Sequence, residues 1–69
     1  MASQHQTFYP FAEVQDDYGN HYTRRMGRAT HNFDQALRTL RRVDHGEIRD
    51  EHNILVAIKD PTHGVRLAL

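Results

Sequence analysis

Residues 32–46, NFDQALRTLRRVDHG, decide how this chain folds. Phe33, Ala36, Leu37, Leu40 and Val43 recur at spacings of three and four, which gathers them into one apolar stripe on a helix. Asn32 stands where an N-cap belongs, and Gln35, three residues on, occupies the capping-box position. Asp34 lies in the first turn and Arg38, Arg41 and Arg42 follow toward the C-terminal end, each matching the charge that the helix dipole favours there. Asp34 and Arg38 are four apart, in the better orientation for an ion pair. Gly46 is expected to end the helix in a left-handed conformation. The spacing predicts one amphipathic helix over 33–45, with an apolar stripe that needs a surface to cover.

That surface is read from the flanking sequence. Ile54 to Lys59 is rich in β-branched residues, and Val65 to Leu69 alternates. Between them Asp60-Pro61-Thr62-His63-Gly64 has turn chemistry, with Gly64 supplying a positive φ at the exit. Toward the N-terminus, Phe8 to Asp16 and His21 to Arg28 read as two strands joined by a turn at Asp17-Tyr18-Gly19-Asn20. Pro10 lacks an N–H, so the first strand should be an edge or be bulged there. Glu47 to Asn53 is charged and reads as a loop, with Ile48 dipping inward. The expected fold is α+β: a single helix packed on a four-stranded, mostly antiparallel sheet in the order β-β-α-β-β. Residues 1–7 are expected to be a flexible N-terminus and 8–69 one small domain.

Composition narrows the function. The chain has 69 residues, nine basic and nine acidic, and no cysteine. A domain this short has a marginal core and no disulfide to support it, which leaves a metal or association with another chain as support. Absence of thiols excludes a cysteine nucleophile and a thiolate zinc site. No stretch approaches the roughly 20 apolar residues that cross a bilayer, and Met1 to Thr7 lacks the features of a secretory signal. The expectation is a cytoplasmic protein without membrane contact. Leu55 and Ala57, with some of Tyr9, Phe11, Tyr22 and Leu67, are expected on the sheet face the helix leaves bare, and an apolar bare face favours a partner or a homodimer.

Candidate chemistry is sparse. Six histidines (His5, His21, His31, His45, His52, His63) suggest a metal, yet no pair has the i,i+4 spacing of a helical ligand pair. The densest run is Asp44-His45-Gly46-Glu47 with Asp50, Glu51 and His52, and it reads as a solvated loop. The order of His45, Asn53 and His63 resembles the His–Asn–His order of ββα-metal nucleases. The chain departs from that pattern, because His45 ends a helix and only six residues follow His63. A single serine, Ser3, and the lack of a glycine-rich phosphate loop give no support to nucleophilic or nucleotide chemistry. No enzyme activity, cofactor or metal is expected.

Arginine is the compositional oddity. Arg24, Arg25, Arg28, Arg38, Arg41 and Arg42 fall within one segment whose lone acid is Asp34. Arginine pairs with carboxylates and stacks on aromatics at protein interfaces. It also contacts phosphates. Five of the six Phe and Tyr lie within the first 22 residues, Tyr9, Phe11 and Tyr22 among them. The expected partner-binding residues are therefore these six arginines with Tyr9, Phe11 and Tyr22. Overall neutrality favours a protein partner, a larger protein or complex, over a nucleic acid. In size, lack of cysteine and single-helix build, the chain resembles small accessory proteins of phages and mobile elements. That group includes anti-CRISPR proteins and other host-factor inhibitors. The likeness is one of type and carries no residues over. It implies a non-enzymatic inhibitor or adaptor that blocks a larger partner sterically or electrostatically, the alternative being a small nucleic-acid-binding regulator.

Overall fold

A computed structural model describes residues 6–68 of the chain. Its elements are β1 (Phe8–Gln15), β2 (His21–Arg25), α1 (Phe33–Leu40), β3 (Gly46–Asp50), β4 (Leu55–Asp60) and β5 (Gly64–Leu67). The fold is α+β, as expected. The sheet, however, has five strands in the order β2-β1-β3-β4-β5, and every neighbouring pair is antiparallel.

The extra strand is β3, in the stretch whose charges suggested a loop. Gly46, Ile48 and Asp50 are buried while Glu47 and Arg49 lie on the other face. The alternation thus rests on one large apolar residue, Ile48, which is fully buried. Glu47 and Arg49 satisfy each other in an ion pair, so the charged face of this central strand needs no loop. Asp50 closes the strand into a tight turn. Its Oδ1 accepts the N–H groups of His52 (2.8 Å) and Ile54 (2.9 Å), and Asn53 takes the left-handed conformation at φ 62°.

β1 is likewise not an edge. It pairs with β2 on one side and β3 on the other. Nor is β1 bulged at Pro10, because it runs in unbroken register with β3 through that residue; the interruption is in the partner strand. β2 ends at Arg25, the Met26 N–H donates to the Pro10 carbonyl (2.9 Å), and pairing resumes only at Phe8 and Thr30. The looping-out passes through Gly27 at φ 63°. The missing proline donor therefore faces the stretch where no ladder partner is present. In the expected leader, the Thr7 N–H donates to Glu51 Oε2 at 2.7 Å. Residues 1–5 of that leader lie outside the described residues.

The helix is shorter than its periodicity suggests. Asn32 caps it as expected, its Oδ1 accepting from Asp34 N (2.9 Å) and Gln35 N (3.4 Å). The capping box is relayed rather than direct. Gln35 Oε1 accepts from the Thr30 hydroxyl, and that hydroxyl accepts from Asn32 N. After Leu40 the chain tightens: Arg42 N donates to Thr39 O and Val43 N to Leu40 O. This i→i+3 winding lets Val43 reach the core while the chain turns into β3. Gly46 is not a left-handed stop; it is the first residue of β3. A Cβ there would come within 2.5 Å of the Phe11 carbonyl oxygen and 2.7 Å of Leu40 Cδ1. The glycine is required by closeness, with the helix end lying directly on the strand.

The core consists of Phe8, Ala36, Leu40, Ile48 and Ala57, with Phe33, Leu37, Val43, Val56 and Val65 packed against it. The helix rests on β1 and β3. Burying these side chains is worth about 1.5–3 kcal/mol for each large one.

Candidate functional site

Register assigns every strand residue to a face, because directly opposed residues in an antiparallel pair point the same way. The face without a helix carries a row that crosses all five strands: Arg25, Phe11, Glu47, Ile58 and Arg66. Beside it runs a second row of Tyr9, Arg49 and Leu55. Tyr9, Phe11, Leu55 and Ile58 remain half-buried. The Arg25 guanidinium lies over the Tyr9 ring, 4.6 Å from its centroid, a cation–π contact of about 0.5–1 kcal/mol at an exposed site. Three of the nine expected site residues, Tyr9, Phe11 and Arg25, therefore converge.

The charges on this face are balanced. Arg49 pairs with Glu47, and Arg66 Nη2 lies 3.0 Å from Asp60 Oδ2. Glu13, one register step from Phe11 on the same face, has His21 Nδ1 at 3.4 Å. Backbone N–H bonds at the turn hold the Asp60 carboxyl below its ordinary value, first that of His63, with the His63 side chain and Thr62 N–H assisting.

The other expected residues lie elsewhere. Arg24 and Tyr22 oppose Ala12 and Val14, on the helix side of the sheet. Tyr22 is thus removed from the bare face where the sequence had placed it. Arg28 is exposed in the connection to the helix, and Arg38, Arg41 and Arg42 are exposed on the helix and the turn that follows. Lys59 also joins this end, its Nζ donating to the Arg41 carbonyl at 2.9 Å. Arg24, Arg38, Arg41 and Arg42 have no acidic partner among the described residues. The six arginines do not form one patch. Ala57 and Leu67 also face the helix side, because the register shift in β4 next to the Ile48–Arg49 step moves Val56 and Ala57 onto the core together.

Leu55 lies on the bare face as expected; residues missed by sequence reasoning are Glu47, Arg49, Ile58 and Arg66 as members of the same surface. Their assembly depends on β3 being a strand, and the signal for that was the two-residue alternation around Ile48. The histidines are dispersed. His63 sits at Asp60 (3.2 Å), His52 near Glu51 (3.8 Å) and His31 Nδ1 at 3.1 Å from the Gln6 carbonyl oxygen. Among the described residues no three His, Asp or Glu side chains gather as a metal would need. In the densest run, Asp50 and Glu51 accept backbone N–H groups and Glu47 holds Arg49. No helix among the described residues is long and apolar enough to cross a membrane. No protein-family model, curated protein or solved structure matches the chain.

Proposed function

We propose that the chain is a non-enzymatic protein-binding module whose contact surface is the helix-free face of the sheet. One observation carries this reading. Half-buried Tyr9, Phe11, Leu55 and Ile58 stand among Arg25, Arg49, Arg66, Glu13, Glu47 and Asp60 on that face. Aromatic and arginine anchors within a charged rim are the composition of an interface core. Both charge signs are present, and three carboxylates would repel a phosphate backbone. A protein surface with matching charges of both signs suits it better. Mechanistically the module blocks: it occupies a patch of a larger protein through the aromatics and sets its register through the charges. This is the action of an inhibitor or adaptor, of the kind phages and mobile elements encode, anti-CRISPR proteins included. Self-association through the same face is the competing use of it.

The nucleic-acid reading keeps one specific support, the unpaired Arg24, Arg38, Arg41 and Arg42 on the helix side. The two readings separate by salt and by mutation. Four phosphate contacts would weaken binding ~150-fold between 50 and 200 mM salt, from a slope of about −0.9 per contact. An interface anchored by aromatics changes little over that range. The experiment captures the partner from the native host, identifies it by mass spectrometry and measures its affinity for purified variants. Light scattering gives the solution mass alongside. Phe11→Ala should weaken binding about 30-fold or more, as truncation of a central anchor does. Reversing Arg38, Arg41 and Arg42 to Glu should leave binding to a protein partner unchanged. Retention of full affinity by Phe11→Ala, with loss in the triple reversal, overturns the proposal in favour of the helix side.

A further inference from the structure

The helix is too short to cover the β4–β5 end of the sheet, and a groove of about 350 Å³ opens there. Its walls are Phe8, Phe33, Ile54, Val56 and Leu67, with Asp50 at its base and Gln6 at the rim. Phe8 and Phe33 form the wall beneath the helix N-terminus, their rings 5.1 Å apart and tilted by 58°. Ile54 and Leu67 form the open side and are 57% and 61% exposed. That is a large apolar area for a surface flank of so small a domain.

Asp50 gives the groove its chemistry. It opposes Phe8 across the β1–β3 ladder, so its side chain is on the helix side. It is 9% exposed, and what exposure it keeps is at the groove it lines. Oδ1 is occupied by the two N–H groups of the turn. Oδ2 has no hydrogen-bond partner, and no cation pairs with Asp50, among the described residues. Among the described residues no Lys or Arg lines the groove. Glu51, the next residue, adds a second carboxylate at this end, held ionised below its ordinary range chiefly by the Thr7 N–H. No buried side-chain oxygen among the described residues lacks a partner, so Oδ2 keeps contact with solvent at the groove and is open to a donor that enters it. Such a groove complements a ligand with an apolar body and one cationic head, and it disfavours anions.

We infer that this groove is a binding site for a small hydrophobic amine, its aromatic or short alkyl body between Phe8, Phe33, Val56 and Leu67 and its ammonium on Asp50 Oδ2. The volume is at the lower end of the range of small-molecule sites, and the ammonium–carboxylate bond is of the charge-assisted kind. The groove is on the opposite side of the sheet from the surface proposed above, so the two assignments stand or fall separately.

The test titrates the whole chain with 2-phenylethylamine, 2-phenylethanol and 3-phenylpropanoate, followed by amide chemical shifts. The amine should bind tightest and the carboxylate weakest, with shifts confined to Phe8, Phe33, residues 50–56 and Leu67. Asp50→Asn keeps an Oδ1 acceptor for the turn, and it should bring the amine down to the affinity of the alcohol, a loss of about tenfold or more. Leu67→Lys alters only the exposed edge strand and should repel the amine while leaving the melting curve unchanged. Equal affinity for all three probes in the parent chain, or shifts centred elsewhere, overturns the inference.

Discussion

Gly46→Ala tests the account of how helix and sheet meet. The added Cβ would lie 2.5 Å from the Phe11 carbonyl oxygen, 2.7 Å from Leu40 Cδ1 and 3.1 Å from Val43 Cγ2. The leucine methyl can move at moderate cost, but the carbonyl belongs to β1 and moves only with the β1–β3 ladder. Overpacking of a tight site costs about 1–3 kcal/mol, and a backbone clash sits at the upper end, about 2–3 kcal/mol. A chain of this length has a total stability of about 3–10 kcal/mol. At about 4–8 °C per kcal/mol for a domain of this size, the melting temperature should fall by about 10–20 °C. Urea denaturation should show a lower midpoint with an unchanged slope. Gly27→Ala is the control, because its Cβ would meet nothing within 4 Å and only its φ of 63° opposes a side chain. It should cost about 1 kcal/mol. If Gly46→Ala melts within 3 °C of the parent, the helix end does not rest on β3 and the packing argument fails.

Other outcomes follow from the same contacts. Asn32→Ala removes the acceptor for Asp34 N and Gln35 N and should cost about 1 kcal/mol, read as a lower urea midpoint; an unchanged midpoint would mean the Thr30 relay alone caps the helix. Acid should destabilise the fold in a defined window. The carboxyls of Glu51, Asp16 and Asp60 titrate below their ordinary values of 4.5, 3.8 and 3.8, chiefly because the N–H groups of Thr7, Asn20 and His63 bond the charged forms. A depressed folded-state pKa adds stability above the unfolded value and loses it as pH falls through the folded one. Melting temperature should therefore begin to drop near pH 4.5 and continue below 3.8, and Asp60→Asn should flatten the lower part. A curve level down to pH 2 would show that these turns do not hold the native state.

Much of this architecture was legible from local pattern. The helix announced itself through Phe33, Ala36, Leu37 and Leu40, its start through Asn32, and the last turn through Asp60 and Gly64, since each depends on residues within one or two turns of chain. β3 was obscured because its charged residues, Glu47, Arg49 and Asp50, outnumber Ile48, the one large apolar residue that marks its inward face. Their tolerance comes from partners that the pattern does not encode: an ion pair, a turn that needs a carboxylate, and a sheet face without a helix. The binding surface was partly visible for the same reason. Tyr9, Phe11 and Arg25 were singled out by type, yet their convergence, and the dispersal of the other five arginines and Tyr22, follow from register.

By itself the sequence determined the α+β class, one amphipathic helix, the two outer hairpins and the absence of thiol chemistry, because these follow from composition and from short-range periodicity. Tertiary structure alone decided that Gly46 must be a glycine and that β1 lies inside the sheet despite Pro10. It also decided that the uncovered apolar area is divided between the bare face and a groove beside the helix. The physical reason is that close approach, register and coverage are relations between distant segments, set by the length of the helix against the width of five strands.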